Sequence, residues 1–168
     1  KILYKPMGVI GCVMPSTNPV ATIIGNAMMA LKGRNSVIIA PHPMSVRLSV
    51  KMVKLLREAL ESVGAPADLI QCISEEYASR EATNLMMSTC DACISTGGAG
   101  RVKAAYSSGK PAFGVGQGNV QEIVDLGISD AELERQATLC VAHRAKDNGV
   151  PCAGAQTVHI HAQQLEQW

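Results

Sequence analysis

A chain of 168 residues has room for one compact domain, or for one domain with part of a second. Its hydrophobic content is 47% but its aromatic content only 3%, so the core must be aliphatic, which suits a packed α/β domain better than a β-sandwich of aromatic pairs. Fifteen Lys and Arg against 14 Asp and Glu leave a formal charge of +1, too little to hold a polyanion by counterion release, so nucleic acid is not expected as a principal ligand.

Apolar runs such as Val37–Ala40 fall far short of the ~20 residues that span a bilayer, so no membrane segment is expected. The amino end carries no signal-peptide pattern and reads as the interior of a longer chain. The six cysteines (Cys12, Cys72, Cys90, Cys93, Cys140 and Cys152) sit mostly within apolar stretches, which points to a reducing cytoplasm.

Along the chain, Gly8 to Met14 predicts a strand, followed by the turn Pro15-Ser16-Thr17-Asn18-Pro19. A helix is expected from Pro19 to Leu31, with Gly33 ending it in the left-handed conformation. Ser36 to Ala40 reads as a second strand, closed by Pro41-His42-Pro43. From Met44 to Val63, Val46, Val50, Val53 and Leu60 share one helical face, with Met52, Leu55 and Ala59 beside them, and the helix stops near Gly64. A third strand (Leu69 to Ile73), a third helix (Ser79 to Ser88) and a fourth strand (Asp91 to Thr96) follow. The fourth strand runs into Gly97-Gly98-Ala99-Gly100, ahead of a helix over roughly Arg101 to Ser107. Pro111 to Val115 is the fifth strand, ending in Gly114-Val115-Gly116-Gln117-Gly118.

Five βα alternations with continuous apolar strands predict a parallel sheet covered on both faces. Ligand sites in such sheets lie at the carboxyl ends of the strands. The four unusual loops fall on that rim, which makes a nucleotide cleft the leading expectation. Beyond Gly118 the expected elements are a strand at Val120 to Val124 and a Ser129-capped helix to about Ala145. A polar loop (Lys146 to Gly149), a strand over Gln156 to His161 and a short helical tail complete the chain. This is too little for a second domain and reads as the opening of one.

The stretches GVIGCVMPSTNPVATIIGNAMMALKGRNSVIIAPHP (from Gly8), STGGAGRVKAAYSSGKPAFGVGQGN (from Ser95) and DNGVPCAGAQ (from Asp147) resemble the CoA-acylating branch of the aldehyde dehydrogenase superfamily. The resemblance implies a Rossmann-like open parallel sheet up to about Gly118, serving as the cofactor domain, and the start of an α/β catalytic domain over residues 119–168. It implies oxidation of a small aldehyde to an acyl-CoA, with NAD or NADP as cofactor and coenzyme A as co-substrate. It also implies a homo-oligomer in the cytoplasm or within a bacterial microcompartment.

Residue by residue, the resemblance makes Cys152, in Gly149-Val150-Pro151-Cys152, the nucleophile that attacks the aldehyde, a role suited to a thiolate near neutral pH. Asn18 is the candidate oxyanion donor. Plain turn chemistry explains an Asn-Pro pair equally well, and hydrolytic relatives place their Asn where this chain has Thr17. Cofactor contacts are expected from Ser16, Thr17, Asn18 and Pro19, from Pro41, His42 and Pro43, from Thr96, Gly97 and Gly98, and from Val115 and Gly116. Among the rim glycines, the resemblance specifically supports Gly98 and Gly116, and tight-turn geometry is the expectation for the others. Hydrolytic relatives hold a water-activating Glu where this chain has Gly114, which is expected to leave space there and to favour transfer to a thiol over hydrolysis.

No metal site is expected. Cys90-Asp91-Ala92-Cys93 is a single CxxC within a β-type run and reads as core. His159 and His161 are expected on one face of a strand, at the surface. The competing readings are a catalytically inactive nucleotide-binding or assembly fragment and a hydrolytic aldehyde dehydrogenase.

Overall fold

The computed structural model describes residues 4–168. The chain divides into two compact units, one ending at Gly116 and one spanning Gln117–Trp168.

The first unit is an α/β, Rossmann-like sheet of five parallel strands in the order β3-β2-β1-β4-β5. These are β1 (Val9–Val13), β2 (Ser36–Ala40), β3 (Ile70–Cys72), β4 (Ala92–Thr96) and β5 (Ala112–Val115). β1 is central, pairing Val9 with Ser36 on one side and Ile10 with Ala92 on the other. Alternation along β1 sends Ile10, Cys12 and Met14 into one core layer with Ile23 and Ala27 of helix α1 (Pro19–Lys32) and Val53 of α2 (Val46–Ser62). The other layer joins Val13 and Ala40 to Met86 and Met87 of α3 (Arg80–Thr89) and Ala105 of α4 (Ala99–Tyr106). Both faces of the sheet therefore bury aliphatic side chains, the reason its strands read as continuous apolar runs.

Three local expectations differ from the structure. Gly33 has φ −81°, and the left-handed residue after α1 is Arg34 at φ 59°. Gly33 is required instead by crowding, since a Cβ there would sit 2.7 Å from Asn35 Nδ2. Asn35 is held in place because its Oδ1 accepts the Met7 and Gly8 N–H groups ahead of β1. The core stripe of α2 runs through Ser49, Val53, Leu56 and Leu60, leaving Val50 and Leu55 exposed. α4 begins at Ala99, two residues earlier than expected, because Gly98 takes the extended N-cap conformation.

The second unit pairs two short parallel strands, β6 (Gln121–Ile123) and β7 (Thr157–His159), and carries helix α5 (Asp130–Ala145). Ser129 caps α5, its Oγ accepting the Glu132 N–H at 3.3 Å. β7 ends at His159, so the expectation of two histidines on one strand face fails. His159 pairs with Gln121 Oε1 at 2.6 Å, while His161 lies past the strand and accepts the Gln163 N–H. Among the described residues no helix is long and apolar enough to cross a membrane.

Candidate active site and nucleotide rim

The carboxyl ends of four adjacent strands carry the rim of the first unit, and the ladder continues into their loops. Met14 N–H donates to Ala40 O at 3.0 Å and Gly97 N–H to Val115 O at 3.0 Å. Ser16–Pro19, Pro41–Pro43, Thr96–Gly98 and Val115–Gly116 are thereby brought to one edge of one sheet.

After β1, Pro15 is buried while Ser16 and Asn18 are exposed and Thr17 is half-buried. Pro19 opens α1 at a position where its missing N–H costs nothing. The Thr22 hydroxyl lies 2.9 Å from Asn18 O and 3.1 Å from Asn18 Oδ1, a forked arrangement that fixes the amide. Asn18 itself is exposed, and among the described residues its Nδ2 has no hydrogen-bond acceptor.

After β2, Pro41 is buried, His42 half-buried and Pro43 exposed. His42 Nδ1 accepts the Met44 N–H at 3.3 Å at the head of a short 3-10 turn. Burial holds the imidazole below its ordinary pKa, and the positive charge of Arg101 lowers it further.

After β4 and β5, the glycines sort by what surrounds them. None of Gly97, Gly98, Gly100, Gly114, Gly116 and Gly118 has a positive φ, so turn conformation does not require glycine there. A Cβ on Gly98, Gly100 or Gly118 would meet no atom within 4 Å, and on Gly116 only Val102 at 3.9 Å. Folding does not need these positions bare. The Gly97-Gly98-Ala99-Gly100 backbone opens α4, and its exposed, unobstructed surface fits close approach by a pyrophosphate. Gly114 is the opposite case. Its Cβ position is filled by Val102 and by the ring of Tyr106, with Cε2 at 2.7 Å, so the space expected above Gly114 is absent.

In the second unit, Cys152 is exposed, whereas Cys12, Cys90 and Cys93 are buried and Cys72 and Cys140 half-buried. Gly154 N–H donates to Pro151 O at 3.1 Å, closing a turn with Cys152 and Ala153 at its tip. The approach is unusual, since Asp147 (φ 50°), Asn148 (φ 53°) and Gly149 (φ 71°) are consecutive left-handed residues. Asp and Asn tolerate this region better than other side chains. At Gly149 a Cβ would also press on Arg144, whose carbonyl oxygen and Cζ lie 3.3 Å away.

Sequence reasoning missed Tyr106, Val102 and Arg101. Val102 and Tyr106 act across the α4–β5 junction and Arg101 through its charge on His42, and no linear pattern marks either.

Comparison with known proteins agrees with this architecture. The model of the aldehyde dehydrogenase family matches residues 1–168, and the chain belongs to that family. Within it, the chain is 46% identical over 163 residues to succinate-semialdehyde dehydrogenase (acetylating) of Clostridium kluyveri, covering 97% of this chain and 35% of that protein. Rhodopseudomonas palustris propionaldehyde dehydrogenase, solved with bound CoA and an acylated cysteine, superposes with TM-score 0.87 at 36% identity, covering 97% of this chain and 36% of that one. An engineered glycolyl-CoA reductase solved with bound NADP+ gives TM-score 0.87 at 35% identity, with the same coverage of 97% and 36%. The chain thus spans about a third of the length of these relatives.

Proposed function

We propose that the protein is a CoA-acylating aldehyde dehydrogenase that converts a small aldehyde, CoA and NAD or NADP into acyl-CoA and the reduced cofactor. In this reading residues up to about Gly118 form the cofactor domain and 119–168 open the catalytic domain. The observation that carries it is the exposed Cys152 thiol, set at the tip of the Pro151–Gly154 turn within the matched family segment.

The Cys152 thiolate adds to the aldehyde carbon, and the carbonyl electron pair moves to oxygen. The role of donor to that oxyanion is assigned to Asn18 on the family resemblance. A nicotinamide cofactor, when bound, supplies the hydride acceptor that turns the thiohemiacetal into a thioester. Gly98, Gly100 and Gly116 leave the rim open for its diphosphate, while Ser16, Thr17, Pro19, Pro41, His42, Pro43, Thr96, Gly97 and Val115 wall the approach. At Gly114 the chain offers no carboxylate as a water-activating base, and Val102 and the ring of Tyr106 fill the position a Cβ would take. The acyl group then passes from Cys152 to the CoA thiol, with the Cys152 thiolate as leaving group. This crowding is the reason to prefer transfer over the hydrolytic reading.

The test is to incubate the whole protein with oxidised cofactor and each of acetaldehyde, propionaldehyde, succinic semialdehyde and sulfoacetaldehyde, without CoA. An acyl mass increment is expected on the Cys152 peptide, discharged as acyl-CoA when CoA is added. Activity retained by Cys152→Ala, or free acid formed equally fast with and without CoA, would overturn the proposal.

A further inference from the structure

Resting on the reading of Cys152 as the nucleophile, we infer that Arg144 is a positioning residue for that reaction, its guanidinium pinning the turn that presents the thiol to the last turn of α5. Both flanks of the turn close on this one residue. Cys152 lies three residues after Gly149 and two before Gly154. Arg144 Nη1 donates to Gly149 O at 3.4 Å, and a Cβ on Gly149 would sit 3.3 Å from Arg144 Cζ and 3.5 Å from its Nε. A Cβ on Gly154 would sit 3.8 Å from Arg144 Nη1 and 3.6 Å from the carbonyl oxygen of His143. Gly149 and Gly154 thus place no side chain between the loop and the end of α5.

The loop needs such a hold. Asp147, Asn148 and Gly149 form an unbroken left-handed run, and of the three only Gly149 enters that region without a Cβ penalty. Conformations of this kind persist where the surrounding structure over-determines them. Two backbone bonds, Val150 N–H to Asp147 O and Gly154 N–H to Pro151 O, both at 3.1 Å, lie within the loop and do not tie it to α5. Among the described residues, the bond from Arg144 is the only side-chain hydrogen bond made to residues 146–154. Arg144 belongs to the last turn of α5, where the helix dipole favours a cation. Among the described residues it pairs with no carboxylate that would draw it away.

Without the guanidinium the run relaxes toward right-handed conformations. The thiol stays exposed but leaves the orientation that acylation requires. Acylation is demanding because the thiohemiacetal carbon must release its hydride to the oxidised cofactor while the hydroxyl proton leaves to solvent, which needs the reacting atoms aligned. Alkylation of the same thiol by iodoacetamide needs only access. The two reactions therefore separate the position of Cys152 from its exposure.

The experiment compares the whole unmodified protein with Arg144→Met, which keeps the stem and removes the donors, and with Arg144→Lys, which restores a charged donor. Two rates are read on the Cys152 peptide by mass spectrometry: single-turnover acylation by oxidised cofactor and the fastest of the four aldehydes named above, and alkylation by iodoacetamide. Arg144→Met should slow acylation at saturating aldehyde roughly tenfold or more. Its alkylation rate, and the aldehyde concentration that gives half-maximal acylation, should each change less than about threefold, because exposure and aldehyde binding are left intact. Arg144→Lys should recover part of the lost rate. Acylation of Arg144→Met within twofold of the unmodified rate, acylation and alkylation slowed in parallel, or a Lys variant as slow as the Met variant overturns the inference and leaves Cys152 as the nucleophile. No acylation of Cys152 in the unmodified protein overturns that reading and this inference with it.

Discussion

The backbone N–H of Gly114 donates to the phenolic oxygen of Tyr106 at 3.0 Å. Residues 112 and 114 of β5 point their peptide groups away from β4, so this bond caps the outer edge of the sheet. The same ring fills the Cβ position of Gly114. Replacing Gly114 by Glu in the whole protein should therefore cost about 1–3 kcal/mol by overpacking and install no hydrolytic base. Chemical denaturation and a free-acid assay check this. A variant with an unchanged midpoint that releases acid would show that the ring does not close the site.

Thiol reactivity should separate Cys152 from the core. Burial pushes Cys12 up to about 12, with Cys90 and Cys93 adding to the effect, and pushes Cys72 up to about 11. Brief alkylation at pH 8 should mark Cys152 and spare Cys12 and Cys72, as read by peptide mass spectrometry. The linkage has a definite sign. Above the ordinary thiol value of 9.0 the unfolded chain loses these protons first, so this stability is intact below 9.0 and lost as pH rises toward 12. A melting temperature that is flat or rising over that window would contradict it.

His42 and Arg101 are coupled through space. Removing the Arg101 charge by Arg101→Gln should raise the His42 pKa part of the way toward 6.5, because burial, the larger cause, remains. In the unmodified protein the unfolded chain binds this proton first as pH falls below 6.5, so acid erodes stability there. Proton NMR titration of the His42 ring gives the direction, and an unmoved pKa would mean that the Arg101 field does not reach it.

The amino end of α3, which carries Arg80 and Asn84, depends on Ser79. Its Oγ accepts the Ala82 N–H at 3.0 Å, and Ser79→Ala should cost roughly 1 kcal/mol. Thermal unfolding measures this loss, and Ser79→Asp should recover it by capping the same N–H.

The five strands were legible because a parallel sheet buried on both faces leaves an uninterrupted aliphatic signature, as in Val37–Ala40. The Ser129 cap and the Pro19 start of α1 were legible because each is a local signal. Contacts made by tertiary crossing left no such trace. Tyr106 reads as the last polar residue of a short helix until α4 is laid against β5, and only then does its hydroxyl meet Gly114. Gly33 looked like a conformational stop, yet the left-handed residue is its neighbour Arg34, because the Asn35 side chain needs the space above Gly33. The effect of Arg101 on His42, in a distant loop of the sequence, likewise has no linear trace.

The bare glycines divide variants by their cellular fate. A side chain at Gly98, Gly100 or Gly118 has open space around it, so such variants should accumulate at normal steady-state abundance even where function is gone. A side chain at Gly11, facing Cys90 Sγ and Met86 Cε at 3.2 Å, or at Gly114, facing Tyr106, must displace core atoms and feed quality-control degradation. A scan that reads abundance and nucleotide binding in parallel should thus separate the two sets along the abundance axis.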